Sequence, residues 1–289
     1  MKAFLTFLLT TLFVLNISAQ DKPAYKLFSA KGKKKSYKKL IKEAKKADII
    51  LFGEFHNNPI SHWLQLELTK DMYEKRKLVI GFEMLEQDNQ EQVDAYLKGE
   101  INQKALDTLA RLWSNYNTDY KPLVDFAKEK NISVCASNIP RRYASMVFKG
   151  GFEALDSLPQ NEKDWIAPLP IPYDPELPSY VAMTSMEHMN HMPEKMKLNM
   201  PKAQAIKDAT MADGILEYYK KKHLFIHYHG AYHSDDYEGI MWYLKKHKPE
   251  LKILTITTVS VKNTKKFDKE NLGKADFIIQ VDEDMTTTY

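Results

Sequence analysis

The chain has 289 residues, 44% of them hydrophobic and 28% charged, with a formal net charge of +4. That balance excludes a disordered or fibrous chain, and the length is enough to bury a substantial core. The one cysteine, Cys135, has no second cysteine in the sequence to pair with, and it falls inside an apolar run where a buried, inert thiol is expected.

In chain order, residues 1–19 read as a signal peptide. Lys2 supplies the positive start, Phe4 to Val14 an apolar run too short to span a bilayer easily, and Ser18-Ala19 small residues before Gln20. The expectation is an exported protein, periplasmic or secreted, whose residues 20–289 form a single domain. With no Cys at the cleavage point it is not lipid-anchored there. Nine lysines between Lys31 and Lys46 then crowd one stretch. A nucleic-acid or anionic-lipid patch would carry interleaved Arg or aromatic platforms, which are lacking beyond Tyr37, so a solvated helix face over an apolar stripe at Leu40, Ile41 and Ala44 is favoured, and no nucleic-acid partner is expected.

Short apolar runs at 48–53, 77–83, 132–137, 224–229 and 251–258, with a weaker one at 276–281, read as strands covered on both faces. Helical patterns fall at 61–75, 90–98, 103–113, 122–130, 202–221 and 237–247, the first opened by Asn58-Pro59 as cap and first-turn proline. Strands alternating with helices predict an α/β fold, a mostly parallel central sheet with helices on both faces. Two stretches break the alternation, near 87–117 and 164–201, and are expected to be helical inserts over one edge of the sheet.

Open parallel sheets bind ligands outside the carboxyl ends of their strands. Here those ends are polar: Gly53-Glu54-Phe55-His56, then Glu83, then Ser137-Asn138 followed by Arg141-Arg142-Tyr143, then His227-Tyr228-His229-Gly230 running on to His233. The pattern Gly-x-x-His occurs at two of them. His56 and His233 with Glu83 or Glu54 would make a nitrogen/oxygen site suited to a divalent transition metal, while Glu83, closing an apolar strand, needs a partner, for which Arg141 is the natural candidate. His227 and His229 share one strand face, so one of them is expected to be buried and satisfied by a backbone carbonyl. His62 is expected to be a surface or packing residue. Methionines recur every three or four residues from Met183 to Met200, with His188 and His191 among them. They fit either a lid over a large flat ligand, a soft copper site, or the core stripe of an amphipathic helix.

The segment Phe52-Gly53-Glu54-Phe55-His56-Asn57-Asn58-Pro59, with His62 and Gln65, resembles the opening motif of the ChaN-like haem-binding proteins, in the superfamily that includes the Tiki proteases and erythromycin esterases. Matches follow in order at Gly81-Phe82-Glu83-Met84, at Trp113 with Tyr120-Lys121-Pro122-Leu123, at Asn138-Ile139-Pro140-Arg141, at Ala203-Gln204 with Asp208-Ala209-Thr210-Met211-Ala212, and at Gly230-x-x-His233. The resemblance implies a groove for haem, possible stacked haems shared by a homodimer, and a role in haem and iron uptake that would involve an outer-membrane uptake system. It implies a tyrosine as iron ligand, for which Tyr143 and Tyr180 are candidates, with His56, Arg141, His188, Asp208, His229 and His233 as further haem contacts. The alternative it implies is a metal-dependent hydrolase in which His56, Glu83 and His233 hold the metal and Glu54 or Glu83 acts as base.

Overall fold

The computed structural model describes residues 22–185 and 192–289. The leader reading at 1–19 and the candidate His188 lie outside them. Strands β1 (Tyr25–Ser29), β2 (Lys34–Lys35), β3 (Ile49–Glu54), β4 (Leu78–Glu86), β5 (Ser133–Asn138), β6 (Leu224–Gly230), β7 (Ile253–Val261) and β8 (Phe277–Asp282) form one sheet in the order β2-β1-β8-β7-β3-β6-β4-β5. The pairs from β8 to β5 are parallel, and β1 and β2 add an antiparallel edge.

Helices α1 (Tyr37–Ala44), α2 (Pro59–Tyr73), α3 (Gln90–Lys98), α4 (Gln103–Leu109), α5 (Lys121–Lys130), α6 (Arg141–Gly150), α7 (Gln160–Lys163), α8 (Pro178–Thr184), α9 (Glu194–Tyr218) and α10 (Ile240–His247) cover the sheet. The strands are apolar throughout because each faces two cores. Ile50, Phe52, Ile80, Phe82 and Tyr228 pack under α2 and α5, while Ile49, Leu51, Val79 and Phe225 pack under α6, α9 and α10. Asn58 caps α2 as expected, its Oδ1 accepting from Ser61 N at 3.0 Å.

Several elements depart from the sequence reading: α6 was not among the expected helices, and α4 stops at Leu109 where 103–113 was expected. The β1–β2 edge was not expected, because a five-residue strand beside a lysine run carries little apolar signal. Lysines on an exposed edge discourage further strand pairing. The long helix begins at Glu194, not at 202, and continues through Pro201. An interior proline costs a helix about 3 kcal/mol, and here Pro201 is buried in packing that offsets it. α1 buries Leu40 and Ala44 and turns Lys38, Lys39 and Lys42 to solvent. Cys135 is buried, and burial pushes its thiol pKa up.

Candidate functional site

The order of the central strands decides the site. β6 lies between β3 and β4, with Glu54 in register with Gly230 and Phe82 with Tyr228. The carboxyl ends of β3, β4 and β6 therefore bring His56, Glu83 and His233 together from positions far apart in the chain. Two glycines permit the close approach. A Cβ on Gly53 would lie 2.8 Å from Ala231 Cα, and one on Gly230 would lie 2.8 Å from His56 Cε1 and Nε2. The imidazole of His56 thus rests on the Gly230 backbone. Gly230→Ala is expected to cost about 1–3 kcal/mol through overpacking and to displace His56, checked by urea denaturation and by the titration shift of the His56 NMR signal.

Beneath the groove lies a buried charge network. His233 sits between two carboxylates, with Nε2 at 3.1 Å from Glu83 and Nδ1 at 2.5 Å from Asp208. Burial opposes its charge, but Glu83 and Asp208 outweigh it and push its pKa up to about 10. Glu83 also accepts from Gly230 N at 2.7 Å. Burial would raise its pKa, yet His233, His56 and that backbone N–H hold it well below the ordinary carboxylate range, whereas burial keeps Asp208 above its ordinary value.

Glu54, also buried, accepts from Gln65 Nε2 at 2.5 Å, from His56 Nδ1 at 3.0 Å and from the Tyr120 hydroxyl. Burial pushes its pKa up, and His62, His56 and Tyr120 together hold it down. The His56 pKa rises because Glu54 and Glu83 outweigh its own desolvation. His62 is buried and packs the loop: its Nε2 lies 3.0 Å from His56 O and its Nδ1 3.1 Å from Gln65 Oε1.

His227 and His229 are both buried, and neither relies on a backbone carbonyl. Ser137 Oγ donates to Phe82 O at 2.9 Å, so it accepts from His227 Nε2 at 2.6 Å. His227 Nδ1 must then accept from His229 Nδ1 at 2.9 Å, and His229 Nε2 from Ser234 Oγ at 2.8 Å. One tautomer of each ring satisfies the row, with both imidazoles neutral.

The remaining candidates fall elsewhere. Tyr143 and Tyr180 are each 1% exposed. The Tyr143 hydroxyl donates to Glu162 at 2.6 Å and accepts from Arg142 at 2.8 Å, and that of Tyr180 donates to Asp208 at 3.4 Å. Neither phenol lines the groove. Arg142 is tied to Asp88 at 2.6 Å. Arg141 is not the partner of Glu83, which His233 and Gly230 occupy; it stands exposed at the rim.

The groove has two arms. One, about 390 Å3, is mainly apolar, walled by Phe55, Met183, Met200, Ala203, Ala231 and Tyr232, with His56, Gln204, Lys207 and His233 at its inner end. The other, about 580 Å3, is polar and lined by His56, Arg111, Trp113, Asn115, Arg141 and Lys207. Two exposed phenols line the groove, Tyr289 in the polar arm and, in the apolar arm, Tyr232, which was not a sequence candidate. Its signal was present, since it stands inside Gly230-x-x-His233. A larger cavity of about 890 Å3, between 152–156 and 163–171, holds no imidazole or phenol.

The expected metal centre does not assemble. Among the described residues no group of three His, Cys, Asp or Glu side chains is placed to hold an ion, and both ring nitrogens of His233 face carboxylates.

The chain is an open, mostly parallel α/β sheet with an apolar and cationic groove at the carboxyl ends of its central strands. The chain belongs to the family described as haem-binding uptake, Tiki superfamily, ChaN, whose model matches residues 40–244. The structure of ChaN from Campylobacter jejuni, described for its cofacial haem binding, is similar over 88% of this chain and 96% of its own, with a TM-score of 0.66 and 19% identity. A succinoglycan biosynthesis protein is similar over 90% of this chain and 94% of its own, with a TM-score of 0.50 and 11% identity. At these identities the likeness is one of fold. No curated protein matches the chain.

Proposed function

We propose that this chain is an exported haem-binding protein serving haem and iron uptake, a single domain behind a cleaved leader. The observation that carries the reading is the composition of the groove: a half-exposed phenol, Tyr232, on an apolar wall beside cations that no carboxylate neutralises. Among the described residues neither Arg141 nor Lys207 forms an ion pair, whereas Glu83 and Glu86 are occupied by His233 and Arg111. An amphipathic dicarboxylate with an apolar face fits that lining. Haem, when bound, supplies a ferric centre for a phenolate and two propionates for cations.

In this reading Tyr232 is the iron ligand, replacing the Tyr143 and Tyr180 candidates. Lys207, Arg141 and His56 hold the propionates, and Phe55, Met183 and Met200 cover the macrocycle. The Glu83–His233–Asp208 network fixes the turn that presents Tyr232. The cofacial haems of the Campylobacter protein extend the proposal to two copies of this chain sharing stacked haems, delivered from an outer-membrane uptake system. The metal-dependent hydrolase is not carried forward, because His233 is ion-paired on both nitrogens.

Titration with micromolar haemin is expected to give a Soret band. Tyr232→Phe should weaken binding by more than about tenfold, while Tyr143→Phe leaves the spectrum unchanged. Unaltered spectra in Tyr232→Phe would remove the assignment, and no Soret shift in the unsubstituted protein would remove the haem reading itself. Lys207→Ala should cost roughly tenfold in affinity, the worth of one hydrogen bond to a charged group, with the spectral envelope retained.

A further inference from the structure

α9 carries Met200, Ala203 and Lys207 on one face, three and four residues apart. These side chains form a ridge with a recess on each side. On one side lies the apolar arm containing Tyr232. On the other, between α9 and the start of α6, is a recess of about 320 Å3 that adjoins the polar arm and shares Trp113, Arg141 and Lys207 with it. We infer that this second recess is a binding site for an amphipathic carboxylate with a single aliphatic chain. The inference goes beyond the haem reading, with which it shares the cations Arg141 and Lys207, and its test separates the two.

The lining states the chemistry. Trp113, Ile139, Ala144 and Phe148 give it apolar walls, and Arg141 and Lys207 also line it. The acids that also line it are already used: Glu86 accepts from Arg111 at 2.8 Å, and Glu83 lies 3.1 Å from His233 and accepts from Gly230 N at 2.7 Å. Arg141 and Lys207 have no ion-pair partner among the described residues, so the uncompensated charge of the recess is positive. α6, ten residues long, begins at Arg141 with Pro140 as its cap residue, and no side chain caps its first turn. Its unfilled N–H groups and dipole add to the same preference for an anion. A recess with apolar walls whose unpaired charges are cationic matches a carboxylate head with a hydrocarbon tail.

The test uses sodium octanoate, decanoate and dodecanoate below their micellar concentrations, followed by calorimetry and by Trp113 fluorescence in the full chain. Affinity is expected to rise about fourfold per methylene until the recess is full, and dodecyltrimethylammonium, with the same tail and opposite head, should not bind. Ser145 lines this recess and neither groove arm. Ser145→Trp should therefore weaken dodecanoate by at least tenfold with the haemin titration unchanged. Should Ser145→Trp lose its fold by circular dichroism, Phe148→Ala serves, with the same direction expected. Tyr232→Phe should leave dodecanoate binding intact. The proposal is overturned if dodecanoate fails to bind, if the ammonium amphiphile binds equally, or if both recess variants bind dodecanoate like the unsubstituted protein. A protein that ignores haemin yet binds dodecanoate through the recess would remove the haem reading and leave this one standing.

Discussion

Replacing His233 by alanine is expected to destabilise the fold by about 3–5 kcal/mol, the cost of removing one partner from a buried ion pair. The imidazolium lies 3.1 Å from one carboxylate and 2.5 Å from another, and the three side chains are 5%, 6% and 1% exposed in the order His233, Glu83, Asp208. Without the cation, two buried carboxylates share a cavity with no counter-charge, and one of them must take up a proton or admit water. Urea denaturation followed by circular dichroism measures it, and the melting temperature should fall by roughly 10 °C or more. The paired change Glu83→Gln with His233→Gln removes one negative and one positive charge together and keeps hydrogen-bonding groups at both positions. It should recover part of the loss. A His233→Ala protein within about 1 kcal/mol of the parent would show that the network is solvated and that the turn bearing Tyr232 is held by something else.

How far the sequence could be read follows from which signals are local. The six parallel strands were legible because each carries a run of apolar residues and is buried along most of its length; β1, half-buried on an edge, was not. Gln90–Lys98 was readable as a helix from its periodicity and the glycine after it. The convergence of His56, Glu83 and His233 was legible from the strand-end rule alone. What those groups do to one another was not. The sequence carries no sign that β6 inserts between β3 and β4, and that insertion turns a presumed set of metal ligands into an imidazolium between acids. Asp208 entered through a family resemblance, as a haem contact and not as a partner of His233. It comes from α9, and its contact with His233 depends on the packing of that helix over the sheet. Behind them Gly239, at φ +54, lies where a Cβ would come within 2.4 Å of His233 O, a constraint visible only in three dimensions. The tyrosines were misjudged for the same reason, since burial cannot be read from one residue: Tyr143 and Tyr180 are spent on internal acids, and Tyr232 is open.

The stability of the protein should pass through a maximum near pH 6.5, with opposite limbs set by different histidines. His233 has a folded pKa raised to about 10 from 6.5. Between those values the folded state holds a proton that the unfolded state has released, so its contribution is complete below 6.5 and is lost as the pH rises through 10. The His227–His229 pair works the other way. Burial and the neighbouring imidazoles push His229 down to about 3 and lower His227 as well. As the pH falls from 6.5 towards 3 the unfolded chain takes up protons that the folded pair refuses, and stability declines. Glu83 adds to the acid limb: its pKa is depressed from 4.5, so what it contributes is present above 4.5 and fades below it. Each limb is worth a few kcal/mol. Unfolding free energies from urea titrations between about pH 4 and pH 10 would trace the profile. His229→Gln is the informative variant, because an amide can still donate to His227 Nδ1 and accept from Ser234 Oγ without titrating. It should make the acid limb shallower and leave the alkaline one, and His233→Ala should flatten the alkaline limb. An acid limb unchanged in His229→Gln would mean that the buried pair already admits a proton in the native state, and the neutral row from Ser234 to Ser137 would have to be redrawn with one imidazole charged.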